Sequence, residues 1–271
     1  MREPTASLSR MDAVQAPIIP IVGQLIRATP GTISLGQGVV HYGPPPAAID
    51  AVRASLGDPE THGYGDGAGW APLVARIRRK LLTENGINTE SSGMAVMVTA
   101  GANMAFMHAV MAVTRPGDEV ILPVPFYFNH EMAIEMAGCR VVRVPTDEHY
   151  QLRLDAIEQA MTSRTRAVVT ISPNNPTGWT ITREAQRAVL GHCRRHGIWI
   201  FADDAYERIY FEEDGVARVG GQRKRPDLRR RLGDLDRIRP LLPVVVVVND
   251  RRALAERQRW VGERVRDAEA C

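Results

Sequence analysis

Short apolar runs alternate with longer amphipathic segments between about residues 94 and 215. The runs that predict strands are residues 94–99, 119–122, 140–144, 166–171 and 198–201. The segments that predict helices are residues 103–113, 129–137, 154–161 and 182–196. Apolar strands that are each followed by a helix are typical of a parallel sheet buried on both faces. The pattern therefore predicts an α/β fold: a three-layer, mostly parallel sheet with helices on both faces.

The pattern differs on either side of this region. Upstream, residues 73–82 predict an amphipathic helix with Leu73, Ile77 and Leu81 on its apolar face. Downstream of Gly215 no clean helix or strand period is visible, although five valines occupy residues 244–248. We therefore expect three parts, which are an N-terminal arm over 1–45, a sheet domain over 46–215 and a tail of unknown fold over 216–271.

The tail also differs in charge. Residues 216–271 carry fourteen Arg and one Lys against eight acidic side chains, whereas the whole chain has a net charge of only +3. A basic segment can bind nucleic acid, but this one has a single aromatic residue, Trp260, and no recognisable reading motif. We therefore expect no nucleic-acid partner.

Composition narrows the class of protein further. With 44% hydrophobic and 24% charged residues, the chain is predicted to be globular and soluble. No apolar stretch reaches membrane-spanning length, and the N-terminus shows no secretory signal. We therefore expect no membrane partner. The three cysteines, Cys139, Cys193 and Cys271, have no metal-type spacing, so we expect no metal site. They cannot all pair in disulfides, which favours a reducing cytoplasm.

Two polar motifs follow predicted strands that are neighbours in sequence. Residues 172–178 read Ser-Pro-Asn-Asn-Pro-Thr-Gly, and residues 203–206 read Asp-Asp-Ala-Tyr. Open α/β sheets bind ligands at the carboxyl ends of their strands, so we expect these motifs to lie close together in a site.

Each polar side chain in these motifs has a local interpretation as well as a functional one. The Asn175 amide, fixed by a rigid turn, is a good donor to a phenolate oxygen, or it completes a turn of its own backbone. Asp203 ends an apolar strand, where a carboxylate needs a partner such as a protonated ring nitrogen. Asp204 is expected to cap a helix or face solvent, and Tyr206 could donate to the same oxygen as Asn175.

Two further segments lie at predicted strand ends. Residues 99–103, Thr-Ala-Gly-Ala-Asn, join a strand to a helix, where free N–H groups can bind a phosphate. A tight turn packed by small residues is the commoner outcome for such a segment. Residues 123–128, Pro-Val-Pro-Phe-Tyr-Phe, offer aromatic rings for a flat heterocycle, and we expect only one of them to face a ligand.

Together with Leu-Gly-Gln-Gly at residues 35–38 and with Tyr64, these motifs resemble the class I/II aminotransferases of fold type I, which use pyridoxal 5′-phosphate. The resemblance runs from about residue 18 to 213 and keeps the order and spacing of the family motifs. It implies that residues 46–215 are a partial cofactor-binding large domain and residues 1–45 an arm or small-domain segment.

The resemblance also implies roles for single residues. The cofactor phosphate would be held by Gly101, Ala102, Asn103 and, from a partner subunit, Tyr64. The pyridine ring would stack on Tyr127, its phenolic oxygen would accept from Asn175 and Tyr206, and its nitrogen would pair with Asp203. Gly38 would lie against the substrate carboxylate.

The family's Schiff-base lysine is expected some tens of residues after Asp203, in a Ser/Thr-x-x-Lys context. This chain has only two lysines. Lys80 is predicted to be a solvated residue of the amphipathic helix, and Lys224 comes too early and lacks the flanking pattern. We identify no catalytic residue. Our interpretation is a family member truncated after the Asp-x-x-Tyr motif, with an Arg-rich tail that a shifted reading frame would explain.

Three functions remain open at this point. The first is a pyridoxal-phosphate-dependent aminotransferase, by family, that is inactive as this chain. The others are a pyridoxal-phosphate-dependent β-lyase and a non-catalytic cofactor-binding fragment. The resemblance implies an amino acid and a 2-oxo acid as small-molecule partners and the family's homodimer, although the missing segments weigh against dimerisation of this chain.

Overall fold

The computed structural model describes residues 9–34, 42–85, 87–90, 95–207 and 245–248. The helices of this part of the chain are α1 Ile18–Ala28, α2 Pro46–Ser55, α3 Ala71–Asn85, α4 Gly101–Val113, α5 Phe128–Met136, α6 Leu154–Ala160 and α7 Arg183–His196. Its strands are β1 Glu119–Val124, β2 Arg140–Pro145, β3 Thr165–Ile171, β4 Trp199–Asp203 and β5 Val245–Val248. None of these helices is long and apolar enough to cross a membrane.

The strands form one sheet in the order β2-β1-β3-β4-β5. The first four strands are parallel, and β5 runs antiparallel to β4. The mostly parallel α/β sheet predicted from the apolar runs is confirmed. In this order β2 and β3 lie on opposite sides of β1, so the strand order reverses between β1 and β3. The loop after β1 and the loop after β3 therefore lead away from each other, which opens a crevice at the carboxyl ends of these strands.

Alternate residues of the strands build two separate cores. Val120 and Leu122 of β1 join Phe106 of α4 and Ile134 of α5 on one face. On the other face, Ile121 packs with side chains of α6 and α7, among them Ile157, Val189 and Cys193. Since successive side chains of a strand point to opposite faces, an apolar run of this kind is buried on both sides. The prediction of helices on both faces is confirmed.

Helix α7 has clear sequence signals at both ends. The hydroxyl of Thr182 accepts a hydrogen bond from the Ala185 N–H at 3.2 Å and caps the first turn. Gly197 ends the helix with a φ of 65°, a left-handed conformation that glycine adopts without steric cost. Arg194, Arg195 and His196 lie in the last turn, where positive charge complements the helix dipole.

One expectation about a strand was wrong, and one strand lies in the tail whose fold was left open. Residues 95–99, within the strand predicted at 94–99, form no strand, and the Val98 N–H donates instead to the Ala68 carbonyl at 2.9 Å. An apolar run becomes a strand only beside a free sheet edge, and in the described residues this segment has no strand partner. Conversely, Val245–Val248 pairs with β4, although its run of identical residues shows no period.

The chain divides into two compact units. Residues 9–34 and 42–65 belong to the first, which carries α1, α2 and a short 3₁₀ helix, Pro59–His62, capped by the Asp58 carboxylate. The other described residues belong to the second, which carries the sheet. The domain boundaries expected near residues 45 and 215 stay predictions.

A buried carboxylate ties together the amino ends of three strands. Glu119 of β1 is fully buried and accepts hydrogen bonds from Arg140 at 2.6 Å, Arg164 at 3.0 Å and the Thr162 hydroxyl at 2.7 Å. Burial raises the pKa of Glu119, but these hydrogen bonds and the charge of Arg140 outweigh it, so the pKa lies below its ordinary value.

Glu119→Gln is expected to lower the free energy of unfolding by about 1–3 kcal/mol at neutral pH, because the buried side chain at position 119 loses its charged hydrogen bonds to Arg140 and Arg164. Since the pKa of Glu119 is lower in the folded state, its contribution is present above the unfolded value and is lost as pH falls through the folded value. Urea unfolding of wild type and variant at neutral pH and below pH 4.5, the ordinary value, measures both effects. The exposed Glu148→Gln serves as the control, and an equal loss of stability on acidification in wild type and Glu119→Gln would contradict the prediction.

Candidate functional site

A cavity of about 240 Å³ lies at the carboxyl ends of β3 and β4, beside the start of α4. Seven of the residues singled out in the sequence line it, and they are Gly101, Ala102, Asn103, Tyr127, Asn175, Asp203 and Tyr206. The other lining residues are Ala100, Ile171 and Ala205. The structure thus brings together residues from Gly101 to Tyr206, which lie far apart in the sequence, while their roles toward a ligand stay predictions.

The N-terminus of α4 forms one side of the cavity. No side chain caps this thirteen-residue helix. Gly101 has a φ of 83°, which suits glycine, and its N–H donates to the Thr99 carbonyl at 2.8 Å. Ala102 and Asn103 follow in the first turn, whose N–H groups have no partner within a helix. An uncapped N-terminus of this kind attracts an anion through its N–H groups and its dipole.

Asp203 brings a buried negative charge to the same cavity. It is 7% exposed, and its two carboxylate oxygens have different partners. Oδ1 accepts from the Ala205 N–H at 3.0 Å, and Oδ2 lies 3.1 Å from Nε2 of His130. A carboxylate in this setting can also accept from a protonated ring nitrogen of a ligand, because each oxygen has more than one lone pair.

His130 contacts Asp203 and was not singled out in the sequence. It lies in the first turn of α5, is 2% exposed, and stacks on Phe106 with ring centroids 4.0 Å apart. Its Nδ1 makes no hydrogen bond to any described residue. The hydrogen-bond network therefore places the proton of a neutral imidazole on Nε2, which faces Asp203. The only available signal was its position three residues after Tyr127, since a lone histidine in a helix is commonly structural.

Asn175 and Tyr206 meet at the cavity. Nδ2 of Asn175 lies 3.1 Å from the Tyr206 hydroxyl, to which it donates. The neighbouring Asn174 performs the local role considered for Asn175, because its amide donates to the Pro125 carbonyl at 3.1 Å and to the Thr177 hydroxyl at 3.0 Å. The Asn175 amide is thereby left to point at another side chain rather than at its own turn.

Of the three consecutive aromatic residues after β1, only Tyr127 lines the cavity. Its ring contacts His130 edge-on at a centroid distance of 5.5 Å. The Asn129 amide donates to its hydroxyl at 2.7 Å, which fixes the ring. Phe126 and Tyr127 both pack against the core, and the expectation that one of the three rings faces a ligand stays a prediction.

The remaining predicted site residues lie elsewhere. Tyr64 belongs to the N-terminal unit, and its side chain is fully exposed. Its contact with a phosphate across a subunit interface stays a prediction. Gly38 lies outside the described residues, as does Lys224.

The expectation for Lys80 was wrong, and one of the two alternatives for Asp204 is excluded. Lys80 is not a solvated surface residue, because its side chain is only 20% exposed and its Nζ forms an ion pair with Glu207. Asp204 does not face solvent, since it is 8% exposed. Helix periodicity could not predict the burial of Lys80, because its partner comes from a segment 127 residues later in the chain. No lysine lines the cavity in the described part of the chain.

The donors and acceptors fit a pyridoxal phosphate. An anion site, a buried carboxylate, an aromatic ring and a polar amide–hydroxyl pair border one small cavity. These groups match, in the same order, a phosphate, a ring nitrogen, a flat heterocycle and a phenolic oxygen.

Comparison with known proteins decides the family. The profile of "Aminotransferase class I and II" matches residues 30–235. The chain belongs to this family. Members of this family generally depend on pyridoxal phosphate. The match extends beyond residue 213, where the resemblance carried by the sequence motifs ends.

Individual relatives agree with this assignment. An aromatic aminotransferase of Arabidopsis thaliana is 32% identical over 205 residues, which are 74% of this chain and 50% of that protein. An aspartate aminotransferase of Streptomyces avermitilis is 32% identical over 181 residues, which are 66% of this chain and 44% of that protein. Among solved structures, N-succinyldiaminopimelate aminotransferase of Mycobacterium tuberculosis superposes with a TM-score of 0.70 at 30% identity, covering 78% of this chain and 55% of that one. The chain therefore spans about half the length of these aminotransferases.

Proposed function

We propose that the cavity binds pyridoxal 5′-phosphate and that the reaction of the whole protein is amino-group exchange between an amino acid and a 2-oxo acid. The observation that carries this proposal is the shared cavity of Asp203 and the uncapped N-terminus of α4. A phosphate and a ring nitrogen on one flat molecule would satisfy both groups at once. The names of the relatives favour amino transfer over β-elimination, since each is an aminotransferase.

When bound, the cofactor supplies an electron sink for the negative charge that develops at the α-carbon of an amino acid. Asp203 would keep the ring nitrogen protonated, because a nearby carboxylate favours the charged form of a base. His130 donates from Nε2 to Asp203 and so holds this carboxylate in place. Asn175 and Tyr206 would donate to the phenolic oxygen, and Tyr127 would cover one face of the ring.

We further propose that this 271-residue chain binds the cofactor without catalysing the exchange. Amino transfer in this family needs a lysine to move the α-proton. Lys80 is held in an ion pair by Glu207 and does not line the cavity. Lys224, the other lysine of the chain, lacks the sequence context of the family's lysine.

Titration with pyridoxamine 5′-phosphate tests the binding. This form has no aldehyde, so it cannot react with surface amines and reports only the cavity. We expect saturable binding of one molecule per chain by calorimetry. Pyridoxamine without the phosphate should bind at least about 10-fold more weakly, because it cannot use the N-terminus of α4. Absence of saturable binding would refute the proposal.

Borohydride reduction tests the catalytic part. After incubation with pyridoxal 5′-phosphate and reduction, peptide mass spectrometry locates any lysine that carries the cofactor. We expect no stoichiometric adduct and no amino transfer from an amino acid to a 2-oxo acid. An adduct on Lys224 with measurable transfer, both lost in Lys224→Ala, would show that the chain has its catalytic lysine.

A further inference from the structure

The turn that follows β4 is held at both of its ends. At its start, the Ser172 N–H donates to the Asp203 carbonyl at 3.1 Å. At its end, the Glu207 N–H donates to the Asp204 carbonyl at 2.9 Å, and the side chain of Glu207 reaches α3. Tyr206 lies between these anchors, so the place of its hydroxyl depends on both of them.

The anchor on α3 is a buried polar cluster that includes, among the described residues, Glu207, Lys80 and Asn85. The Glu207 side chain is 11% exposed and forms an ion pair with Lys80 through Oε1. Its Oε2 accepts from Nδ2 of Asn85 at 3.3 Å. A carboxylate so deeply buried requires a compensating charge, and removal of that charge is far more costly than at a solvated surface.

We propose that Lys80 is a positioning residue of the cofactor cavity. By holding Glu207, it fixes the turn that carries Tyr206 and, through the Asn175–Tyr206 hydrogen bond, the polar edge of the cavity. This inference rests on the proposed binding of pyridoxal phosphate and gives the ion pair a role in that binding. A purely structural ion pair would stabilise the fold and leave the affinity of the cavity unchanged.

Lys80→Met tests the proposal with pyridoxamine 5′-phosphate as the probe. We expect the dissociation constant to rise roughly 3- to 10-fold, because displacement of one hydrogen bond weakens binding by about this factor. Lys80→Arg keeps the charge and should restore affinity to within about 2-fold. The neighbouring Arg79, which is exposed on the same helix, provides the control Arg79→Met, expected to bind as wild type does.

A double-mutant cycle identifies the route of the effect. In a Tyr206→Phe background the hydroxyl is already absent, so adding Lys80→Met should change the affinity by less than about 2-fold. Hydrogen exchange of the ligand-free protein gives an independent measurement. Peptides covering residues 203–207 should exchange faster in Lys80→Met and in Glu207→Gln, and at the wild-type rate in Lys80→Arg.

The outcomes separate this inference from the proposed function. If wild type does not bind the probe, the proposed function fails and the positioning role fails with it. If wild type binds and Lys80→Met binds equally well, only the positioning role is overturned. A full loss of affinity that persists in the Tyr206→Phe background also overturns it, because Lys80 would then act by another route.

Discussion

Asp203→Asn is expected to weaken the binding of pyridoxamine 5′-phosphate by roughly 10- to 100-fold, the largest effect of any single substitution in the cavity. The asparagine keeps the shape of the side chain and can still accept from Nε2 of His130, but it removes the buried charge that would hold a protonated ring nitrogen. Calorimetric titration of wild type and variant measures the change, and thermal unfolding verifies that the fold is retained.

Two controls make this result specific. Asp155→Asn, at an exposed position on α6, should leave the affinity unchanged. The 1-deaza analogue of the cofactor carries a carbon in place of the ring nitrogen, so it should bind wild type and Asp203→Asn within about 2-fold of each other. A loss of similar size with both ligands would contradict the pairing of Asp203 with the ring nitrogen.

Phe106→Ala is expected to lower the free energy of unfolding by about 3–5 kcal/mol. Phe106 is 1% exposed, stacks on His130 and meets Phe201 edge-on at a centroid distance of 5.7 Å. The substitution removes a large buried ring and leaves a cavity directly beneath His130. Because His130 then loses its packing, we also expect weaker pyridoxamine phosphate binding under conditions where the variant remains folded.

Urea unfolding provides the measurement for this variant. Met111→Ala lies on the same helix at a position that is 63% exposed, and it should cost less than about 0.5 kcal/mol. A loss of stability below about 1.5 kcal/mol in Phe106→Ala would show that the aromatic cluster repacks around the gap and does not support His130 rigidly.

The sequence located most of the cavity because its groups stand at predictable points of the chain. Asn175 and Asp203 each follow an apolar run, and parallel strands place their carboxyl ends at one edge of the sheet. The segment around Gly101 was predicted from a strand at 94–99 that does not form in the described residues, and it borders the cavity as the start of α4. For Asn175 and Asp203, strand prediction together with the family motifs was enough to indicate a common site.

The contacts that support the site could not be predicted in this way. His130 lies on α5, which packs against one face of the sheet, and the sheet order brings β4 within reach of this helix. The contact between His130 and Asp203 therefore depends on the tertiary structure. Lys80 reaches Glu207 across 127 positions of sequence. Helix periodicity treats such a lysine as solvated, since it considers only neighbours within the same helix.

The sequence by itself determined the α/β class, the alternation of helices and strands, and the residue types at the strand ends. These follow from local preferences and from the burial of apolar side chains, which act over a few residues. The tertiary structure alone decided which polar groups became partners: Asn175 with Tyr206, Asp203 with His130, and Lys80 with Glu207. The physical reason is that a buried polar group must find a partner wherever the packed elements place one, and that choice depends on the sheet order rather than on distance along the chain.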